Sequence, residues 1–249
     1  MYLYRMYNIS INQNLEALAK QLYGYWFVQF DFPDEEGKPY KSSGGAMIWN
    51  EKIKRNVPAS WEVQPLFEAV SVQYGFPFAT EQFTEQETRI PVVRIRDILD
   101  GTTSAYSLED TDEKYHLNEG DVIVGMDGNF HMNYWHDNKA YLNQRCVRLR
   151  PLAGSNISSI QILHGIQPYI KAKELNAKGS TVGHLSDKDL KELFMLHAST
   201  NEFFKPKETF DLLLKQIIAN KQEILSLTKQ RDELLPLLMN GQVSLLNCD

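Results

Sequence analysis

Cysteine is nearly missing from this sequence of 249 residues, which holds only Cys146 and Cys248. Two thiols so far apart form neither a metal-type spacing nor a disulfide framework, so a reducing cytoplasm is the expected compartment. Long apolar runs are missing as well. Ile11 to Phe32 is interrupted by Asn12, Gln13, Asn14, Glu16, Lys20, Gln21 and Asp31, far short of the ~18 to 20 apolar residues that a bilayer span needs. The expectation is a soluble chain with no membrane association. There is no Gly-x-Gly and no Pro-Pro, which removes the glycine-rich cofactor loop and the Asn/Asp-Pro-Pro-aromatic motif that a base-flipping methyltransferase would need.

Positive charge is scarce too. Lys and Arg number 26 against 32 Asp and Glu, for a net charge of −6. The deficit is local, because residues 66–150 hold 8 basic and 14 acidic side chains while the rest is balanced. Glu109, Asp110, Asp112, Glu113, Glu119 and Asp121 crowd into one short stretch, read as a solvated loop away from any ligand. Phosphate neutralisation supplies most non-specific DNA affinity, so strong non-specific binding by this chain alone is not expected.

Catalytic constellations do not assemble. Pro33-Asp34 followed by Glu36-Gly37-Lys38 imitates a metal-nuclease pattern, but its carboxylates belong on adjacent strands and the single residue between them leaves no room for a hairpin. His131 and His136 are spaced so that they face opposite sides of a strand. No Ser sits in a nucleophile elbow, and Cys146 has no activating partner nearby. The residues point to a recognition protein, with no catalytic residue, metal or cofactor.

With 43% hydrophobic and 11% aromatic residues, the chain can bury one large core or two modest ones. Ser10 with Gln13 fits a capping box. Ile11, Leu15, Leu18, Leu22 and Tyr25 then recur at heptad spacing, a seam that calls for a partner helix. The partner is expected at the other end. Pro206 suits a first helical position, and Leu213, Ile217, Asn220, Ile224, Leu227, Arg231, Leu234 and Leu238 repeat on one face. Pro236 should kink or end that helix, and Asn240-Gly241 should stop it. Asn220 and Arg231 are polar seam positions, read either as tolerated imperfections or as register-fixing residues. Between the helices, 70–78 and 90–98 read as strands. Residues 121–126 and 129–135 read as a hairpin around a type I′ turn at Asp127-Gly128, and 141–150 continues the sheet. Residues 159–176 suit a helix despite Gly165 and Pro168, and Ser186 with Asp189 opens another. The fold class is mixed α/β, with one domain of about 140 residues flanked by long helices.

Residues 25–45, YWFVQFDFPDEEGKPYKSSGG, together with Arg231-Asp-Glu-Leu-Leu-Pro-Leu-Leu-Met-Asn-Gly-Gln-Val243, resemble the two conserved helical regions of the specificity subunits of Type I restriction-modification systems. Gly120 to Gly128, Leu142 to Arg145 and Gly179 to Ser186 resemble motifs of the target-recognition domains. The resemblance implies a conserved N-terminal helix over 1–31, a conserved loop over 32–60, a DNA-binding target-recognition domain over 61–201 and a C-terminal dimerisation or spacer helix over 206–249. The two helices would pair as an antiparallel coiled coil. It also implies double-stranded DNA, the modification (methyltransferase) subunit and the restriction (motor-nuclease) subunit as partners. A standard subunit carries two recognition domains and this sequence one, so a homodimer reading a bipartite site is expected. Leu15, Leu18, Leu22, Leu213, Ile217, Asn220, Ile224, Leu227 and Leu234 would form its helix pairing. A silent recognition fragment and an acidic decoy remain as alternatives.

For DNA contacts, Arg94, Arg96, Arg145, Arg148 and Arg150 are the densest basic set in expected strands. Arg suits guanine, while Asn and Gln suit adenine, so Asn143, Gln144 and Arg145 form a compact reading group, with Asn129 beside the hairpin tip. Lys178, Thr181 and His184 are candidate phosphate contacts.

Overall fold

The computed structural model describes residues 2–87, 89–177 and 183–240 of a mixed α/β chain. It opens with helix α1, Tyr2–Tyr23. Ser10 lies inside this helix and does not start it. The first half of α1 buries Asn8 and Asn12, polar positions that an apolar periodicity does not reveal. Its inner stripe continues through Ala19 to Phe27, whereas Leu18 and Tyr25 are 42% and 39% exposed. The expected seam is therefore rotated: within the chain Leu15 and Leu22 stay half-buried at its edge and Leu18 faces outward.

A π-helical segment, Gly24–Val28, follows. Its wider turn brings Phe27 into an aromatic junction where Phe32 stacks on Tyr40, Trp61 and Phe204. The loop between is tightly specified. Tyr40 N–H donates to the Phe32 carbonyl and Lys41 N–H to that of Phe30. Asp31 accepts from the Ser42 backbone and hydroxyl, each at 2.7 Å. Asp34 accepts from the amides of Glu36 and Lys38 at 2.9 and 2.8 Å, so this carboxylate ties off a turn.

An antiparallel ribbon, β1 (Met47–Asn50) with β2 (Arg55–Pro58), leads to β3 (Glu62–Pro65), the short helix α2 (Leu66–Ala69) and β4 (Val70–Tyr74). Then come β5 (Phe83–Thr84), β6 (Ile90–Val93), β7 (Tyr106–Ser107), β8 (Val122–Gly125), β9 (Met132–Tyr134), β10 (Tyr141–Leu142) and β11 (Cys146–Pro151). Two sheets result, an antiparallel one in the order β4-β11-β8-β9 and a smaller one in the order β10-β6-β7-β5. Every residue of β8 is buried. Val122 and Val124 join the core under the helices while Ile123 joins the one shared with Trp135 and Leu142. A strand covered on both faces reads as a continuous apolar run, as Val-Ile-Val does here.

Helix α3, Ser159–Ala177, starts at a reciprocal cap in which Ser158 and Gln161 exchange side-chain and backbone hydrogen bonds. It passes through Pro168 without breaking. A Cβ on Gly165 would lie 3.3 Å from the Tyr23 hydroxyl, so the missing side chain lets α1 and α3 approach. Ser186 and Asp189 form the expected capping box of α4, Asp187–Lys191. Strand β12 (Phe194–His197) pairs with β3, and the chain ends in α5, Pro206–Met239.

Pro206 is the first residue of α5, and regular helix continues past Pro236 to the Asn240 cap. Gly241 lies outside the described residues. α1 and α5 run antiparallel: Trp26 meets Phe210 at one end, and Arg5 Nε donates to Thr228 Oγ1 at 2.8 Å toward the other. Ile217 is buried, and Leu213, Asn220, Ile224, Leu227 and Arg231 are half-buried, whereas Leu234 is exposed.

Candidate nucleic-acid interface

The expected strand 141–150 is broken in the structure by a turn at Asn143–Arg145, between β10 and β11. Two features force that turn out of the sheet. Arg145 has φ 65°, a left-handed conformation that costs a side-chain-bearing residue about 1–2 kcal/mol. Gly75, at the end of β4, lies under the turn, and a Cβ there would come within 1.9 Å of the Asn143 carbonyl oxygen. Gln144 N–H donates to the Phe76 carbonyl at 2.8 Å, and Met126 N–H to that of Arg145 at 2.8 Å. The three polar side chains are thereby held by backbone hydrogen bonds at the rim of the small sheet.

The turn forms one wall of an open concavity lined by Arg94, Ile95, Arg96, Asn129, His131, Asn143, Gln144 and Arg145. Six of the sequence candidates meet there although they come from three separate chain segments. Arg96, Asn129, Gln144 and Arg145 are exposed. Arg94 is engaged instead, its guanidinium donating to Asp97 at 3.1 Å and to Ser104 at 2.8 Å. That pairing props the segment carrying Arg96. His184 sits next to the group, with Nδ1 2.6 Å from Asp127 Oδ1, while Arg145 Nη1 lies 3.2 Å from Asp127 Oδ2. Lys178 and Thr181 lie outside the described residues.

Arg148 and Arg150 do not join this surface. Arg148 is buried and donates to the carbonyls of Lys114 and His116, where desolvation pulls its pKa down. Arg150 pairs with Asp121 at 2.6 and 2.7 Å. The acidic stretch is correspondingly less solvated than expected: Asp121 is buried, and Glu109 accepts from the Ala79 amide at 2.9 Å. A strand's alternation does not distinguish an arginine pointing inward onto carbonyls from one pointing at a ligand.

The hairpin also differs from the expected tight turn. β8 and β9 pair antiparallel with Val124 opposite Met132, but the connection runs over 126–131, and Gly128 alone in it has positive φ. Asp127 pairs with His184 and Gly128 N–H donates to the Gly183 carbonyl, so this loop packs against the segment before α4. Cys146, adjacent to the Asn143–Arg145 turn, is buried, and desolvation with Asp97 and Asp127 nearby pushes its thiol up to about 12. It is no nucleophile. Among the described residues no group of His, Cys, Asp and Glu is arranged to hold a metal ion, and no helix is long and apolar enough to cross a membrane.

The model of the family described as the Type I restriction modification DNA specificity domain matches residues 58–195. The chain belongs to this family. The specificity subunit of the EcoBI Type I restriction enzyme of Escherichia coli is 30% identical over 165 residues, covering 66% of this chain and 35% of that protein. The MjaIX specificity subunit of Methanocaldococcus jannaschii is 21% identical over 252 residues, covering 93% of this chain and 54% of that protein. In fold, the chain resembles the crystal structure of the Type I restriction-modification S subunit from M. genitalium, with a TM-score of 0.56 at 16% identity, covering 93% of this chain and 55% of that one. The chain thus spans about half the length of these relatives or less.

The residues that line the concavity all fall within the matched range. His131 lines the concavity and Asp127 borders it, placements that their sequence patterns, a histidine pair and a turn dipeptide, do not indicate. The signal that would have found them is positional, because both flank Asn129 in a loop too long for a plain hairpin.

Proposed function

We propose that this chain is a non-catalytic DNA-reading subunit that recognises one half of a bipartite site in double-stranded DNA through the concavity around Asn143, Gln144 and Arg145. The observation that carries the reading is the convergence of Arg94, Arg96, Asn129, Asn143, Gln144 and Arg145 on one open surface, with His184 at its border. Arg96, Asn129, Asn143, Gln144 and Arg145 are of the types that can read guanine and adenine edges, with Arg94 held by Asp97 and Ser104 behind them. Arg96 and the mouth of the concavity also suit phosphate oxygens. The reading domain would span 61–201, after the 32–60 loop and between the 1–31 and 206–249 helical regions.

In this reading the subunit works in the cytoplasm and holds methyltransferase subunits over the bound site, with restriction subunits joining the same assembly. A second copy would supply the other half-site, so that two recognition domains related by a two-fold axis read a palindromic bipartite sequence with half-sites about one helical turn apart. Support for the second copy comes from apolar side chains left uncovered on both long helices. Leu3, Met6 and Tyr7 on α1, and Leu235, Leu238 and Met239 on α5, are between 39% and 81% exposed. The test is methylome sequencing of the host with and without the gene. Loss of one bipartite adenine-methylated motif is expected; an unchanged methylome sinks the proposal.

A further inference from the structure

A carboxylate beside a DNA-facing basic surface needs an explanation, because it repels the phosphates that the surface must attract. Asp127 is such a group. Its Oδ2 lies 3.2 Å from Arg145 Nη1 and its Oδ1 2.6 Å from His184 Nδ1, while the side chains of Arg145 and His184 are 70% and 60% exposed. The Asp127 side chain is only 20% exposed, but both of its partners lie largely in solvent, and contacts of that kind contribute little to stability, so holding the fold together does not account for it. Its own placement is firm. Met126 N–H donates to the Arg145 carbonyl, Leu185 N–H to that of Met126, and Gly128 N–H to that of Gly183. The Asp127 loop is thus laced between the Asn143–Arg145 turn and the segment before α4, with its carboxylate fixed between the Arg145 guanidinium and the His184 imidazole.

We infer that Asp127 is a positioning residue for base recognition: it orients the Arg145 guanidinium to read a guanine, and it ties His184 to the same contact. The inference rests on the proposal that this concavity reads DNA. Arg145 contacts Asp127 through Nη1, and a guanidinium carries five N–H donors in a rigid fork. Enough of them remain to reach guanine O6 and N7 as a bidentate pair. An exposed arginine without such an anchor samples many rotamers and must be ordered at the moment of binding. The anchor therefore exchanges some non-specific phosphate attraction for a fixed reading geometry.

The full-length chain, incubated with a pool of randomised DNA duplexes, is selected for bound molecules, and the base preference at each position is read by sequencing. Asp127→Asn keeps the shape of the side chain and removes its charge. It should flatten the preference for one guanine roughly ten-fold, the scale of one bidentate contact, while other positions keep theirs. Arg145→Lys should flatten the same guanine, and adding Asp127→Asn to it should do nothing more. Affinity for unselected DNA should rise about two-fold with the loss of the acid, whereas damage to the fold would lower both affinities. An unchanged guanine preference in Asp127→Asn, or an equal loss at every position, overturns the inference. If Asp127→Asn does not fold, His184→Gln carries the test: a partial loss at that guanine supports the inference, and an unaltered preference overturns it. Should the wild-type chain enrich no sequence at all, the DNA-reading proposal itself falls, and the role of Asp127 with it.

Discussion

At the scale of single residues, Arg145 combines an unfavourable backbone with an exposed side chain that the proposed function assigns to DNA. Strained conformations persist where the surroundings over-determine them, and they gather at functional sites. The strain and the side chain can be separated by substitution. Arg145→Ala removes the guanidinium and keeps a Cβ at φ 65°, whereas Arg145→Gly removes both. Glycine adopts this conformation freely, so the Gly variant should be more stable than the Ala variant by about 1 kcal/mol. In a chain of this size that corresponds to a melting temperature roughly 2–4 °C higher. Both variants should lose recognition equally, and thermal unfolding alongside duplex selection measures the two effects. Equal melting temperatures would mean that the turn relaxes when the side chain is shortened. That Asn143, Gln144 and Arg145 would share one surface was legible in the sequence, since they are three adjacent polar residues, and all three line the concavity. The backbone conformation of Arg145 was not, because left-handed φ at arginine follows from Gly75 and Phe76, far away along the chain.

At the scale of elements, the same logic explains which parts of the fold the sequence disclosed. The capping box at Ser186 and the proline at the start of α5 are local devices, and both act where local chemistry places them. Ser10 carries a similar local signal, but it is overridden because α5 supports an earlier start of α1. Long-range closeness is what the sequence hides, and Gly75 shows it best. Gly75→Ala would place a methyl 1.9 Å from the Asn143 carbonyl oxygen and 2.3 Å from its carbon, backbone atoms that cannot swing aside. A destabilisation of about 1–3 kcal/mol is expected, together with loss of base preference as the reading turn moves. Unfolding curves and duplex selection on this variant check both. Helix α4 offers an acid-sensitive counterpart. Hydrogen bonds from Lys191 and then Tyr74 hold Asp187 below the usual carboxylate range. Desolvation pushes Asp189 up, but Lys173 and Ser186 outweigh it and the net shift is downward. Folded-state values below the unfolded one of about 3.9 mean that the stabilisation is present above that pH and is lost as pH falls through the folded values. Protection of the Leu190 amide, taken relative to its intrinsic exchange rate at each pH, should therefore fall below about pH 4, and Asp189→Asn should lower it already at neutral pH. A protection factor flat from pH 6 to pH 3 would count against this account.

At the scale of the whole molecule, two facts have to be reconciled: a net charge of −6 and a surface proposed to bind DNA. Pairs such as Asp121 with Arg150 and Asp97 with Arg94 remove one base with each acid and leave the sum unchanged. The concavity itself, however, is lined by Arg94, Arg96 and Arg145 and, among the described residues, by no carboxylate, so the formal sum does not describe the charge met there. A single reading surface with few free cations still makes a weak binder, since affinity follows the number of phosphates neutralised. Doubling the surface through a second copy is the direct remedy. On the proposal of a second copy, the long helices would provide the means: Leu234, Leu235, Leu237, Leu238 and Met239 are exposed on α5, and Leu3, Tyr4, Met6 and Tyr7 on α1. Because the two helices run antiparallel within the chain, these groups gather toward the same end of the pair, where self-association would cover them. A standard interface buries about 1,200–2,000 Å² in total, an area that this many apolar side chains would help supply. Replacing Leu235 and Leu238 by glutamate should shift sedimentation from dimer to monomer while moving stability by no more than about 0.5 kcal/mol per site, as exposed positions generally do. The half-site preference read from randomised duplexes should persist in that monomer, while the paired, palindromic signature disappears. A wild-type chain that sediments as a monomer, alone and with a methyltransferase subunit, would show that the apolar end meets something other than a second copy.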